Sequence, residues 1–116
     1  MEDEPANRVM SRIILERAGY EVLTAEDGPD ALAQFRAAPD RVAVVVLDVN
    51  IPGFNGWEVL AELRRLRPGV RVVMTSGNGS EAMEAAVEWD EPTAVLLKPF
   101  LPADLTAVVT RVLGAP

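Results

Sequence analysis

At 116 residues and 49% apolar content, the chain has the size of one domain, with enough apolar side chains for a core covered on both faces. A formal charge of −7 argues against nucleic acid as a direct partner, because phosphate-backbone affinity comes from counterions released around clustered Lys and Arg. The sequence contains neither Cys nor His, which excludes thiol chemistry, imidazole bases and the usual zinc ligands, so any metal must be hard and oxygen-bound.

In chain order, Pro5 to Ala18 carries Val9, Met10, Ile13 and Ile14 at helical spacing, with Gly19 as a natural stop. Glu21-Val-Leu-Thr-Ala25 reads as a short strand, and Pro29 to Ala37 as a helix opening on proline. Arg41 to Asp48 is an apolar, β-branched run of the kind that forms a strand buried on both faces. A helix is expected from Trp57 to Leu66, with Leu60, Leu63 and Leu66 on one stripe and Pro68-Gly69 behind it. Val70 to Thr75 is another apolar strand, Ser80 to Trp89 a helix with Ser80 as N-cap, and Thr93 to Lys98 a further strand. The last helix, Pro102 to Leu113, places Leu105, Val108, Val109 and Val112 on one face. Strand and helix alternating over short links imply right-handed parallel βαβ units, hence an α/β doubly wound sheet. The longest apolar stretch, Val42 to Leu47, is too short to span a bilayer, and the acidic start lacks the basic region of a signal peptide. A cytoplasmic protein with no membrane partner is therefore expected.

Open parallel sheets put their chemistry at the carboxyl ends of the strands. Asp48 ends the buried run Val42 to Leu47 and is followed by the turn residues Pro52 and Gly53, so it is held rigidly yet reaches the mouth of the sheet. Other polar groups stand at the ends of elements. Glu2-Asp3-Glu4 precedes the first helix, Ser76-Gly77 follows an apolar strand, and Lys98-Pro99 ends another. Taken singly, these are an acidic helix start, a turn and a solvated edge charge. Together, carboxylates, a hydroxyl and an ammonium at one sheet edge are what phosphoryl transfer to a carboxylate requires. Mg²⁺ takes oxygen ligands, Lys98 neutralises a phosphoryl oxygen, Ser76 donates to another, and Asp48 is the nucleophile.

In these motifs the chain resembles the receiver domain of two-component response regulators over nearly its whole length: Glu2-Asp3-Glu4-Pro5, Gly19-Tyr20, Ala25-Glu26-Asp27-Gly28, Leu47-Asp48-Val49-Asn50-Ile51-Pro52, Asn55-Gly56, Ser76-Gly77 and Lys98-Pro99-Phe100. The resemblance implies a flavodoxin-like fold, five parallel strands in the order 2-1-3-4-5, and one receiver domain over residues 1–116. It implies that Asp48 accepts phosphate from the phosphohistidine of a histidine kinase or phosphotransfer protein, as a signalling domain rather than a turnover enzyme. Asp3 would bind Mg²⁺ directly, Glu2 through water, and the Asn50 backbone carbonyl would complete the protein ligands beside Asp48. Ser76 would be the switch hydroxyl and Lys98 its ionic partner.

The chain departs from the family pattern in three places. An apolar first strand usually precedes the acidic pair, and here only Met1 does. About four buried apolar side chains, at roughly 1.5–3 kcal/mol each, amount to a whole domain's net stability. A trimmed start, direct pairing of the flanking strands, or a strand lent by another protomer in an exchanged homodimer would compensate. Were Met1 the terminus, its ammonium beside Glu2 and Asp3 would compete with Mg²⁺. Val95 stands where an aromatic is typical, and Asp90-Glu91-Pro92 replaces a small-residue turn. These departures keep open an alternative, a receiver-like protein interaction module that is never phosphorylated. A phosphate-monoester hydrolase would need an acid or base two residues after Asp48, where Asn50 stands. Trp57 is expected to pack in the core, whereas Trp89 could serve either packing or a partner.

Overall fold

The computed structural model describes residues 5–38, 40–48, 50–51, 54–76, 94–98 and 100–114. Glu2, Asp3, the helix expected from Ser80 to Trp89, the Asp90–Pro92 turn and Pro99 lie outside the described residues. Among those described, the elements are α1 (Pro5–Arg17), α2 (Gly28–Ala37), β1 (Val44–Asp48), β2 (Asn50–Ile51), β3 (Phe54–Asn55), α3 (Gly56–Leu66), β4 (Arg71–Ser76), β5 (Ala94–Leu97) and α4 (Pro102–Gly114).

β1, β4 and β5 form a parallel sheet in that order. β1 and β4 are neighbours joined through α3, the parallel crossover that the strand-helix alternation predicted. Side chains alternate across the sheet with the period of two that the pleat imposes. Leu47, Val72 and Met74 pack with Phe35 of α2 and Trp57, Val59, Leu60 and Leu63 of α3. On the opposite face Val73, with partly buried Val44, Val46 and Leu96, meets Leu15 of α1 and Leu105, Val108, Val109 and Val112 of α4. The sheet is thus sandwiched between two helical layers, and its central strand β4 is apolar because both faces are covered. Trp57 lies in the core, as expected.

Local chemistry sets the helix ends. Gly19 takes φ +97°, and its N–H reaches the Glu16 carbonyl at 3.0 Å while the Tyr20 N–H reaches that of Leu15 at 3.1 Å, a Schellman stop after α1. α2 opens on Asp27, whose carboxylate accepts from the Asp30 N–H at 2.8 Å. In α4, the Asp104 carboxylate reaches back to accept from the Leu101 N–H at 2.9 Å.

Two expectations need correction. Residues 21–25 belong to no ladder, so the strand expected at Glu21–Ala25 is not one, and direct pairing of that segment with the strand around Val44 does not occur. The segment is tethered from its sides instead. Glu21 pairs with Arg41 at 2.9 Å and the Thr24 carbonyl accepts from Gln34 Nε2 at 2.8 Å. Its β-branched pattern favours extended backbone, but a ladder also needs a partner about 4.8 Å away. A cavity of about 390 Å³, lined by Tyr20–Ala25 on one side and Val42–Val46 on the other, occupies that place. The second correction concerns the residues after Asp48, read as turn punctuation. They include a short antiparallel ladder pairing Asn50 with Asn55 and Ile51 with Phe54. No helix among the described residues is long and apolar enough to cross a membrane.

Candidate functional site

The carboxyl ends of the three parallel strands carry the polar groups that the sequence singled out. Asp48 is the last residue of β1 and Ser76 the last of β4, while Lys98 directly follows β5. Ladder register brings them to one edge: Asp48 lies opposite Thr75, and Ser76 opposite Leu97. The Lys98 N–H then donates to the Ser76 carbonyl at 2.8 Å, which continues the pairing by one residue and fixes the lysine beside β4.

From there the Lys98 side chain spans to β1. Its Nζ donates to Asp48 Oδ2 at 2.6 Å, a charge-assisted contact. The two partners differ in solvation, since the Asp48 side chain is 4% exposed and that of Lys98 is 32% exposed. A carboxylate so enclosed at a sheet edge is costly unless a cation faces it, and Lys98 is that cation among the described residues. Ser76 and Thr75 are also buried at this edge. Thr75 was not singled out from the sequence. Only the register, which is not a local signal, puts it opposite Asp48.

The structure therefore brings Asp48 and Lys98 into contact and sets Ser76 on the adjoining strand end. Asn50 lies in β2, two residues past Asp48 in the chain. No cluster of three or more His, Cys, Asp or Glu that could hold a metal occurs among the described residues, which do not include Glu2 and Asp3. The available donors are hard carboxylate and carbonyl oxygens, which fit Mg²⁺ or Ca²⁺ and not a thiophilic ion.

A family model described as "Response regulator receiver domain" matches residues 1–110. The chain is 32% identical to the sensor kinase CckA of Brucella abortus over 97% of its own length, but spans only 12% of that kinase. It is 26% identical to the chemotaxis protein CheY of Thermotoga maritima, with 97% of this chain and 92% of the relative covered. Among solved structures, chemotaxis protein CheY4 of Vibrio cholerae superposes with a TM-score of 0.86 at 32% identity, covering 96% of this chain and 92% of that one.

Proposed function

Because the chain belongs to the response regulator receiver family of two-component systems, we propose that it stores a signal as a phosphoryl group on Asp48, taken from the phosphohistidine of a histidine kinase or phosphotransfer protein. The observation that carries this reading is the buried Asp48 carboxylate at a strand mouth, faced at 2.6 Å by the Lys98 ammonium. The donor class accords with the relatives, which include a sensor kinase.

In this reading an Asp48 carboxylate oxygen attacks the donor's phosphorus, the P–N bond breaks, and its electron pair leaves with the imidazole nitrogen, which takes a proton. Lys98 holds the carboxylate in place before transfer and offers its positive charge to the phosphoryl oxygens afterwards. Ser76, on the neighbouring strand end, supplies a hydroxyl to the phosphoryl group, and its displacement toward that group carries the signal into the segment that follows β4. Asp48, the Asn50 carbonyl, Asp3 and, through water, Glu2 would hold Mg²⁺, which supplies charge neutralisation for the transferred group. Burial of the Asp48 carboxylate limits the approach of water to the acyl phosphate from the β1 side and so lengthens its life.

Incubation with acetyl phosphate and Mg²⁺, followed by intact-mass measurement, tests the proposal. The wild-type chain should gain one phosphoryl group, and both Asp48→Ala and chelation of Mg²⁺ should abolish the gain. A folded wild-type sample that gains nothing would favour the interaction-module reading.

A further inference from the structure

Strand alternation sorts the side chains of the site by face. Val46 of β1, Val73 of β4 and Leu96 of β5 pack toward α1 and α4, whereas Leu47, Val72 and Met74 pack toward α2 and α3. Lys98 continues the β5 ladder by one residue through its N–H bond to the Ser76 carbonyl. Carried to the strand ends, the period of two puts Asp48, Thr75 and Lys98 together on the face of α1 and α4. Thr75 also lines the cavity beside β1 with Leu15 and Val109, which places it on that face independently. By the same alternation Ser76 belongs to the opposite face, so of the two hydroxyls that close β4, that of Thr75 stands with the ion pair.

β4 separates β1 from β5, a span of two strand spacings or about 10 Å, so the Lys98 side chain crosses the end of the middle strand to make its 2.6 Å contact with Asp48 Oδ2. The register sets Thr75 level with Asp48 on one side and with Leu96 on the other, under that crossing. Thr75 is only 4% exposed, and it differs in shape from Val72 and Val73 of the same strand by a hydroxyl in place of a methyl. Burying a hydroxyl among apolar neighbours is unfavourable unless it meets a polar group, and a carboxylate and an ammonium stand beside this one.

We infer that Thr75 is a positioning residue for phosphoryl transfer: its hydroxyl, on the middle strand beneath the Asp48–Lys98 pair, holds the ammonium against the carboxylate and so keeps Asp48 aimed at the strand mouth. A hydroxyl suits this place because it donates to a carboxylate oxygen while its lone pairs accept from an ammonium, which neither a valine nor a second charge can do. Thr75 touches neither phosphodonor nor metal in this scheme and acts through Asp48 and Lys98. The consequence for transfer rests on the phosphoacceptor reading of Asp48, whereas the effect on the ion pair rests on the sheet geometry alone.

Two substitutions test it. Thr75→Val removes the hydroxyl and keeps the shape, and Thr75→Ser keeps the hydroxyl and removes the methyl. In EDTA, exchange of the Lys98 ammonium protons with water, followed by NMR of the side-chain nitrogen, should be about threefold faster in Thr75→Val than in the wild type and unchanged in Thr75→Ser. With acetyl phosphate and Mg²⁺, the rate of phosphoryl gain should fall about fivefold in Thr75→Val, the worth of one ordinary hydrogen bond, and stay within about twofold of the wild type in Thr75→Ser. A packing role predicts the opposite ranking, with the serine variant impaired and the valine variant intact, and that ranking would overturn the inference. So would unchanged ammonium exchange in Thr75→Val, whatever its rate of phosphoryl gain. A wild-type chain that takes up no phosphoryl group would end the phosphoacceptor reading, while the ammonium comparison would still decide whether Thr75 holds the pair.

Discussion

Unequal solvation of the Asp48–Lys98 pair makes the two halves of the site unequal in stability. Removing one partner of a buried ion pair costs about 3–5 kcal/mol, mostly from the charge left behind. In Lys98→Met the charge left behind is a carboxylate only 4% exposed, on a rigid strand end that cannot turn outward. The lysine's own 32% exposure shows that water reaches this edge, so the cost falls below that range, to about 2–3 kcal/mol. Asp48→Asn leaves instead an ammonium on a flexible stem already reaching solvent, and the amide oxygen still accepts from it. That change should cost less than about 1 kcal/mol, or stabilise slightly. Urea unfolding in EDTA, with m unchanged between variants, reads both numbers. Adding Mg²⁺ should restore part of the Lys98→Met loss by giving the carboxylate another cation. An Asp48→Asn variant as destabilised as Lys98→Met would refute the claim that burial of the carboxylate sets the energetics of the site.

Gly19→Ala should destabilise by about 1–2 kcal/mol in urea, because φ +97° penalises any Cβ while nothing lies within 4 Å to clash with it, and Gly19→Asn should cost less. The exposed Glu62 carboxyl is held below its usual 4.5 by a hydrogen bond from Arg65, with further attraction from Arg65 and Arg36. A depressed carboxyl stabilises above its unfolded pKa and loses that contribution as pH falls through the folded value. Any stability gap between wild type and Glu62→Gln should therefore close on acidification below 4.5, and also in high salt, as read by thermal midpoints across pH.

Local pattern made much of this molecule legible. The α4 face formed by Leu105, Val108, Val109 and Val112 is buried as its spacing required, and Asp48 stands where an apolar run ended on a charge. Asp48, Ser76 and Lys98 were each readable because each closes a strand, and parallel strands collect their ends at one edge. Pairing was less legible. Val22 to Ala25 has strand composition, but a ladder belongs to two segments, and nothing in one segment states that its neighbour stands too far away. The Asn50–Asn55 ladder escaped for the opposite reason, since two residues per strand give no periodicity to read. Val95 is exposed on β5, so the aliphatic that replaces the family's usual aromatic at this position is not a core residue among those described.

The cavity beside β1, a slot between residues 20–25 and 42–46, also orders the sheet energetically. β1 is paired along one edge only among the described residues and borders this slot of about 390 Å³ along the other, so fewer packing contacts hold it on that side. The sheet should therefore open locally on the side of the slot, where β1 meets it. β4, paired on both edges and with Val72, Val73 and Met74 fully buried, has no such route and must wait for global unfolding. Native-state hydrogen exchange separates the two: the slowest amides of β1 should exchange at least tenfold faster than the slowest of β4, and less denaturant-sensitively, as a sub-global opening does. Equal protection in the two strands would mean that the slot is closed in solution by collapse of residues 21–25 onto β1. Asp48 would then sit on a strand held from both sides, and the lateral looseness of the edge that carries Asp48 would not exist.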